Sequence, residues 1–236
     1  MNEAYNMDCM KFLRDTPDKS FDLCVCDPPY GINAESFNRE GQRGGLERPH
    51  REKKAGRLNS GGGKLKNRVL NRSDASWDYE PPTKEYFVEL FRVSRNQVIW
   101  GGNYFVLPPT RGILVWDKMQ PWPNFSQVEM AWTSFDTPAK IFRLSNAVSG
   151  KIHPCQKPVE LYKWIYGLYA KPGMKILDTH LGSGSSRIAA WDMGIDFVGT
   201  EIDPEYFEKQ EERFKKHISQ PRLEMFEQKI EQERLF

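Results

Sequence analysis

Apolar residues recur along this chain with two different spacings, and one long stretch has neither. Residues 21–27 (FDLCVCD) form a short apolar run closed by an acid and a proline pair, the pattern of a buried strand entering a loop. Residues 97–100 and 113–116 repeat that pattern, each stopped by glycines or charge. Between 83 and 95, Phe87, Leu90, Phe91 and Ser94 fall at helical spacing behind Pro81 and Pro82, which predicts a helix. Residues 128–135 and 140–144 are expected to pair antiparallel around Pro138. In the last third, a helical face (Leu161, Trp164, Ile165, Leu168) runs over 159–169 and stops at Lys171-Pro172-Gly173. A strand at 175–178, a helix at 184–193 and a strand at 197–201 follow. Asp203-Pro204-Glu205 then opens a helix with an N-cap and a proline in its first turn. Strands alternating with such helices predict an α/β fold with a mostly parallel sheet and helices on both faces. Ligands of such sheets bind beyond the carboxyl ends of the strands, where strand order reverses.

Composition narrows the class. At 236 residues, 39% hydrophobic and 28% charged, the chain is expected to form a single domain, too polar for a membrane protein. No apolar run approaches the roughly 20 residues of a membrane span, and MNEAYNMDCMKF has no signal-peptide core. Cys9, Cys24, Cys26 and Cys155 are irregularly spaced, with no zinc-like cluster, so reduced thiols, no metal and a cytoplasmic location are expected. Charge is unevenly spread. From residue 38 to 72, eleven Lys or Arg stand against three Glu, a surplus of +8 in a chain whose total is +2, so the remainder sums to −6. Residues 34–76 are glycine-rich and aperiodic, and read as an exposed basic insertion; 204–236 read as a charged helical tail.

Two predicted strands end in an aspartate. The first continues Asp27-Pro28-Pro29-Tyr30, the second Asp178-Thr179-His180-Leu181-Gly182-Ser183-Gly184-Ser185. Gly182 and Gly184 permit tight turns before a helix N-terminus, and Glu201, seventeen residues after Gly184, ends a strand where an acid can accept ribose hydroxyls. Arg187 replaces the third glycine of a dinucleotide fingerprint, which favours an adenosyl ligand without pyrophosphate; a plain tight turn explains the glycines as well. In Asp27-Pro28-Pro29-Tyr30, two prolines fix the backbone and remove donors, leaving acceptors beside an aromatic plate. That combination suits a planar base with an exocyclic amino group, although a proline terminator with a packing tyrosine accounts for it equally.

Together, Asp27-Pro28-Pro29-Tyr30, LDTHLGSGS at 177–185, the acid Glu201 of GTEID and HPCQKP at 153–158 resemble the motif set of amino-methylating DNA methyltransferases. Their order resembles the β-class arrangement, a permuted, Rossmann-like methyltransferase fold that uses S-adenosyl-L-methionine. The resemblance implies that Asp27 and the Pro28 carbonyl accept from the target amino group, that Pro29 stiffens the loop and that Tyr30 stacks on a flipped base. It implies that Asp178, Gly182, Ser183, Gly184, Ser185 and Glu201 hold the cofactor, with Asp8 on its adenine side and Lys157 near its methionine end. His180 departs from the family's usual phenylalanine. DPPY resembles the adenine-N6 enzymes more than the cytosine-N4 ones, which remain the alternative beside an inactive nucleic-acid-binding protein.

The basic segment directly follows the base-gripping loop, so Arg39, Arg43, Arg48, Arg51, Lys53, Lys54, Arg57, Lys64 and Lys66 are expected to contact DNA phosphates. The aromatic stretch 116–132 is a second candidate for reading DNA, or core packing. Gln232, Leu235 and Phe236 resemble the short peptide that docks on the bacterial sliding clamp; an amphipathic helix end explains them better. The pattern suits a monomer and a dimer alike.

Overall fold

An apolar run requires apolar cover on both sides, and residues 23–26 of the strand Phe21–Cys26 find it at the centre of a sheet. The computed structural model describes residues 1–31, 80–120, 126–146 and 150–219. The chain divides into one unit of residues 1–28 with 82–236 and another of residues 29–81. The first unit carries strands β1 (Asn2–Asn6), β2 (Phe21–Cys26), β3 (Ser94–Trp100), β4 (Ile113–Asp117), β5 (Val128–Thr133), β6 (Lys140–Arg143), β7 (Lys175–Asp178) and β8 (Asp196–Glu201). Its helices are α1 (Cys9–Asp15), α2 (Lys84–Val93), α3 (Val159–Tyr169), α4 (Ser185–Asp192) and α5 (Pro204–Ile218).

The sheet order is β1-β8-β7-β2-β3-β5-β4-β6; only β5 runs antiparallel to its neighbours β3 and β4. Side chains alternate across the pleat. Leu23, Val25, Val98, Trp100, Ile176 and Phe197 pack with α3 and α4, while Cys24, Cys26, Ile99, Leu177 and Val198 pack with α1 and α2. Helices therefore cover both faces, as the pattern predicts. Asp203 caps α5 by accepting from the Glu205 and Tyr206 amides, and basic residues close its last turn.

Two expectations are corrected. Residues 128–133 and 140–143 do not pair with each other: β4 lies between them, antiparallel to β5 and parallel to β6. The helix begun near 83 ends at Val93, because Ser94 joins β3, its hydroxyl donating to the Leu90 carbonyl at 2.6 Å. Residues 2–15 carried no expected element: β1, without an apolar pattern, forms as an edge strand parallel to β8, and α1, whose Cys9, Phe12 and Leu13 pack into the core, starts on the Asp8 cap.

In the second unit the described residues are its ends. A Cβ on Gly31, at φ +67°, would fall 2.5 Å from Pro81 Cδ, so the two ends meet. The basic residues from Arg39 to Lys66 and the tail segment with Gln232, Leu235 and Phe236 lie outside the described residues. Among the described residues no helix is long and apolar enough to cross a membrane.

Candidate active site

Strand order reverses between β7 and β2. After β2 the chain moves to β3 on one side, and after β7 to β8 on the other. The two loops singled out in sequence leave these neighbouring strands at the same edge, with Leu23 opposite Ile176 and Cys24 opposite Leu177. Asp27 and Asp178 thus flank the position where open α/β sheets bind ligands. Glu201 ends β8, one strand beyond β7, and Asp8 follows β1, one further. Pro28 is buried behind Asp27. Pro29 and Tyr30 open the second unit, directly after it in sequence.

On the β7–β8 side, neutral donors hold the acids. Asp178, 1% exposed, accepts from the Ser186 hydroxyl and from the His180 amide at 3.0 Å. Burial pushes its carboxyl up to about 7, with Asp27 and Glu201 adding repulsion and the two donors opposing. Glu201 accepts from the Gly182 amide at 2.7 Å and the Asp203 amide at 3.0 Å; burial still lifts it above the usual carboxylate range. Each oxygen keeps a second lone pair and can accept a further hydrogen bond. Gly182 (φ +51°) and Gly184 (φ +71°) both adopt the left-handed region, and Gly184 caps α4.

Ser183 and Ser185 are turned inward. Their hydroxyls lie 3.2 Å apart, and Arg213 donates to the Ser183 carbonyl at 2.7 Å and the Ser185 hydroxyl at 2.9 Å. Arg187, where a third glycine would stand, ties α4 to Asn2 and Glu211. His180 stands edge-on to Tyr86 at 5.4 Å, with Cys9 Sγ 3.8 Å from its Nε2, and burial lowers it to about 4. Asp8 spends its carboxylate on the α1 cap, accepting from the Met10 and Lys11 amides at 2.6 and 3.3 Å.

On the β2–β3 side the acids are held by lysines. Lys157, buried, sends its ammonium to Asp27 and lies 3.1 Å from Glu129 Oε2; Lys118 pairs with the other oxygen of Glu129. The HPCQKP segment builds this. Gln156 accepts the Ile152 amide at 3.1 Å, the His153 carbonyl accepts the Gln156 amide at 3.2 Å, and Pro158 caps α3. The resulting turn aims Lys157 at Asp27, whereas the sequence reading sends it to the cofactor's methionine end. Burial opposes the ammonium, but Asp27 and Glu129 outweigh it and hold Lys157 above the ordinary lysine range. Burial likewise opposes an ionised Glu129, and the two lysines nevertheless keep it well below the usual carboxylate value.

Glu129 and Lys118 escape the sequence reading. Both continue the inward parity of their strands, Glu129 with Ala131 and Thr133, Lys118 with Leu114 and Trp116. A charge in a buried register was the available signal. Trp116 is a core residue, 1% exposed, donating to the Leu144 carbonyl at 2.8 Å, and Trp132 donates to the Pro108 carbonyl at 2.7 Å. Trp116 packs in the core, and Trp132, half-buried, packs against Phe91.

Known proteins agree with this geometry. Residues 99–212 match the DNA methylase family that groups N6 and N4 enzymes. The type II methyltransferase M.BglII from Bacillus subtilis is 25% identical over 244 positions, covering 87% of this chain and 67% of that protein. A crystal structure of an M1.HpyAVI–SAM complex superposes with a TM-score of 0.55 at 18% identity, covering 90% of this chain and all of that one. The cytosine-N4-specific PvuII DNA methyltransferase does so at 0.57 and 16%, covering 91% and 86%. At such identities the superpositions speak to the fold, which is the α/β methyltransferase fold expected from the motif order. The matched region and these relatives make the chain similar to the amino-methylating DNA methyltransferases, N6-adenine or N4-cytosine.

Proposed function

We propose that this protein transfers a methyl group from S-adenosyl-L-methionine to the N6 amino group of adenine in DNA. One observation carries the reading: the Asp27 loop and the Gly182 loop leave adjacent parallel strands at the strand-order switch. The donor set suits the cofactor, since among the described residues Asp178 and Glu201 accept from amides and a hydroxyl and from no cationic side chain. Asp178 and Glu201, with the Gly182–Gly184 turn, would hold its amino acid part and ribose. Bound there, it supplies an activated methyl group on a sulfonium. DPPY supports adenine as the target base.

An exocyclic amine is a weak nucleophile because its lone pair is delocalised into the ring. The Asp27 carboxylate and Pro28 carbonyl accept its two hydrogens, which favours a pyramidal nitrogen with the lone pair free. As the N–C bond forms and the methyl–sulfur bond breaks to leave a neutral thioether, positive charge passes to nitrogen beside a fixed carboxylate, a preorganised interaction that contributes a few kcal/mol, about 10²–10³ in rate. The nitrogen then releases one proton to solvent. A paired base hides this amine, so the base must leave the stack; the DPPY resemblance gives the stacking role to Tyr30.

Methylation-sensitive sequencing of DNA from cells expressing the protein or Asp27→Ala tests this. N6-methyladenine in one sequence context, lost in the variant, is the expected result; modification that survives Asp27→Ala overturns the mechanism, and N4-methylcytosine moves the target to the other base. Deleting residues 39–66 is expected to weaken DNA binding and flatten its salt dependence while cofactor affinity holds. Equal loss of both would remove the DNA-binding role.

A further inference from the structure

A carboxylate that must grip an incoming amine cannot also be the sole counter-ion of a buried cation. Lys157 is such a cation: its side chain is 3% exposed, and Asp27 accepts from it. Stripping one partner from a buried pair leaves an uncompensated charge and costs several kilocalories per mole in typical proteins. A second partner is already in place. Glu129 Oε2 is buried, lies 3.1 Å from Lys157 Nζ, and has no directed hydrogen bond of its own among the described residues. Its other oxygen is fixed by Lys118, so the carboxylate is held in position rather than free to swing. Beneath both, the Trp100 ring lies 5.3 Å from the same ammonium and favours a cation there.

We propose that Glu129 is the standing counter-ion of Lys157, and that the pair positions Asp27: Lys157 passes from Asp27 to Glu129 as the target amine takes Asp27. This rests on the reading of Asp27 as the acceptor for that amine. Neither Lys157 nor Glu129 touches substrate; both act through Asp27. The movement is short, because the ammonium already lies within reach of both acids and has three donors to share between them. The arrangement also explains a lysine in a motif otherwise assigned to cofactor. Asp27, Asp178 and Glu201 stand at the ends of three adjoining strands, and Lys157 offsets the repulsion of the first without occupying the other two.

Two measurements on the full chain test the proposal. In thermal melts, Asp27→Asn leaves Lys157 on Glu129, so its Tm falls by a few degrees at most. Asp27→Asn/Glu129→Gln removes both carboxylates from the ammonium and lowers Tm by about 10 °C or more. Adding Lys157→Met to that double variant restores the loss, also if the double variant alone fails to fold. A single Asp27→Asn as damaging as the double, or no recovery with Lys157→Met, overturns the assignment. In single-turnover methyl transfer, Glu129→Gln ties Lys157 to Asp27 and slows the step about 30-fold or more, with cofactor and DNA affinities within about twofold. Lys157→Met in that background raises the rate again, a recovery that a merely structural role would not produce. Wild-type transfer in Glu129→Gln overturns the proposal. The melts require no methyl transfer, so a chain that modified no DNA would sink the functional reading while they still decided the partner of Lys157.

Discussion

The two halves of the carboxyl edge hold their acids in opposite ways. On the β7–β8 side, Asp178 and Glu201 are met by amides and a hydroxyl, and burial lifts both carboxyls. On the β2–β3 side, Asp27 and Glu129 are met by Lys157 and Lys118, and Glu129 is held down. Neutral donors orient a carboxylate without spending its charge, so the first half keeps negative potential for a ligand that brings hydroxyls and positive charge. Lysines spend that charge internally, so the second half is balanced and can accept a neutral amine without attracting stray cations. On the function proposed above, one edge would offer a cation site and a neutral-donor site on adjacent strands.

That division breaks most sharply in a reciprocal pair of variants. Asp27→Ala is expected to cut methyl transfer by about 10³, at the upper end of the loss from removing a preorganised group, while cofactor affinity stays within a few-fold. Glu201→Ala removes the acceptor of the Gly182 and Asp203 amides, loosens the turn, and is expected to weaken cofactor affinity about 10–100-fold. Calorimetric titration with the cofactor, set beside transfer rates at saturation, separates the two. If each variant lost binding and rate together, the halves would not be independent.

Much of this edge was legible in the sequence because its residues sit where period and chemistry agree. The apolar run into Asp27 and the strand into Asp178 announced themselves through continuous burial, and Asp203 with Pro204 marked α5. What the sequence hid has one physical cause: tertiary pairing overrides local pattern. β1 is polar and exists because β8 offers it a ladder; β4 slips between β5 and β6 because register, not proximity along the chain, decides neighbours. The same cause concealed the Lys157 network. Asp27 and Lys157 are 130 positions apart, and only the sheet order shows that the start of β5 comes beside the end of β3.

A smaller effect sharpens the comparison through pH. Asp178 titrates near 7 in the folded chain against 3.8 for the ordinary group, so the folded state takes up a proton across that window. The associated stability is fully present below about pH 4 and is lost as pH rises through 7, by at most about 4 kcal/mol. The ligand-free protein is therefore expected to melt progressively lower between pH 5 and 8, and Asp178→Asn to flatten that slope. Cofactor affinity should move the other way, tightening about tenfold from pH 6 to 8 as the acid ionises, because a cationic ligand favours the carboxylate. Melts and titrations across pH check both signs; a flat affinity profile would remove Asp178 from the cation site.

The smallest effect lies in the turn that joins the two acids of the cofactor half. Gly182 and Gly184 both need left-handed backbone, so alanine at either is expected to cost about 1–2 kcal/mol. Their surroundings differ. A Cβ at Gly182 would meet nothing closer than the His153 ring at 3.7 Å, ordinary contact, whereas at Gly184 it would come within 3.1–3.2 Å of the fully buried Gln210. Gln210 accepts from Arg187, which also binds Asn2 and Glu211, so it cannot yield without disturbing the tie between α4, α5 and β1. Gly184→Ala should therefore lower Tm more than Gly182→Ala. Cofactor affinity should rank them in the reverse order, since the Gly182 amide is the one that orients Glu201. Equal losses in both measurements would mean that the turn acts as one rigid piece rather than as a packing glycine and a ligand-facing one.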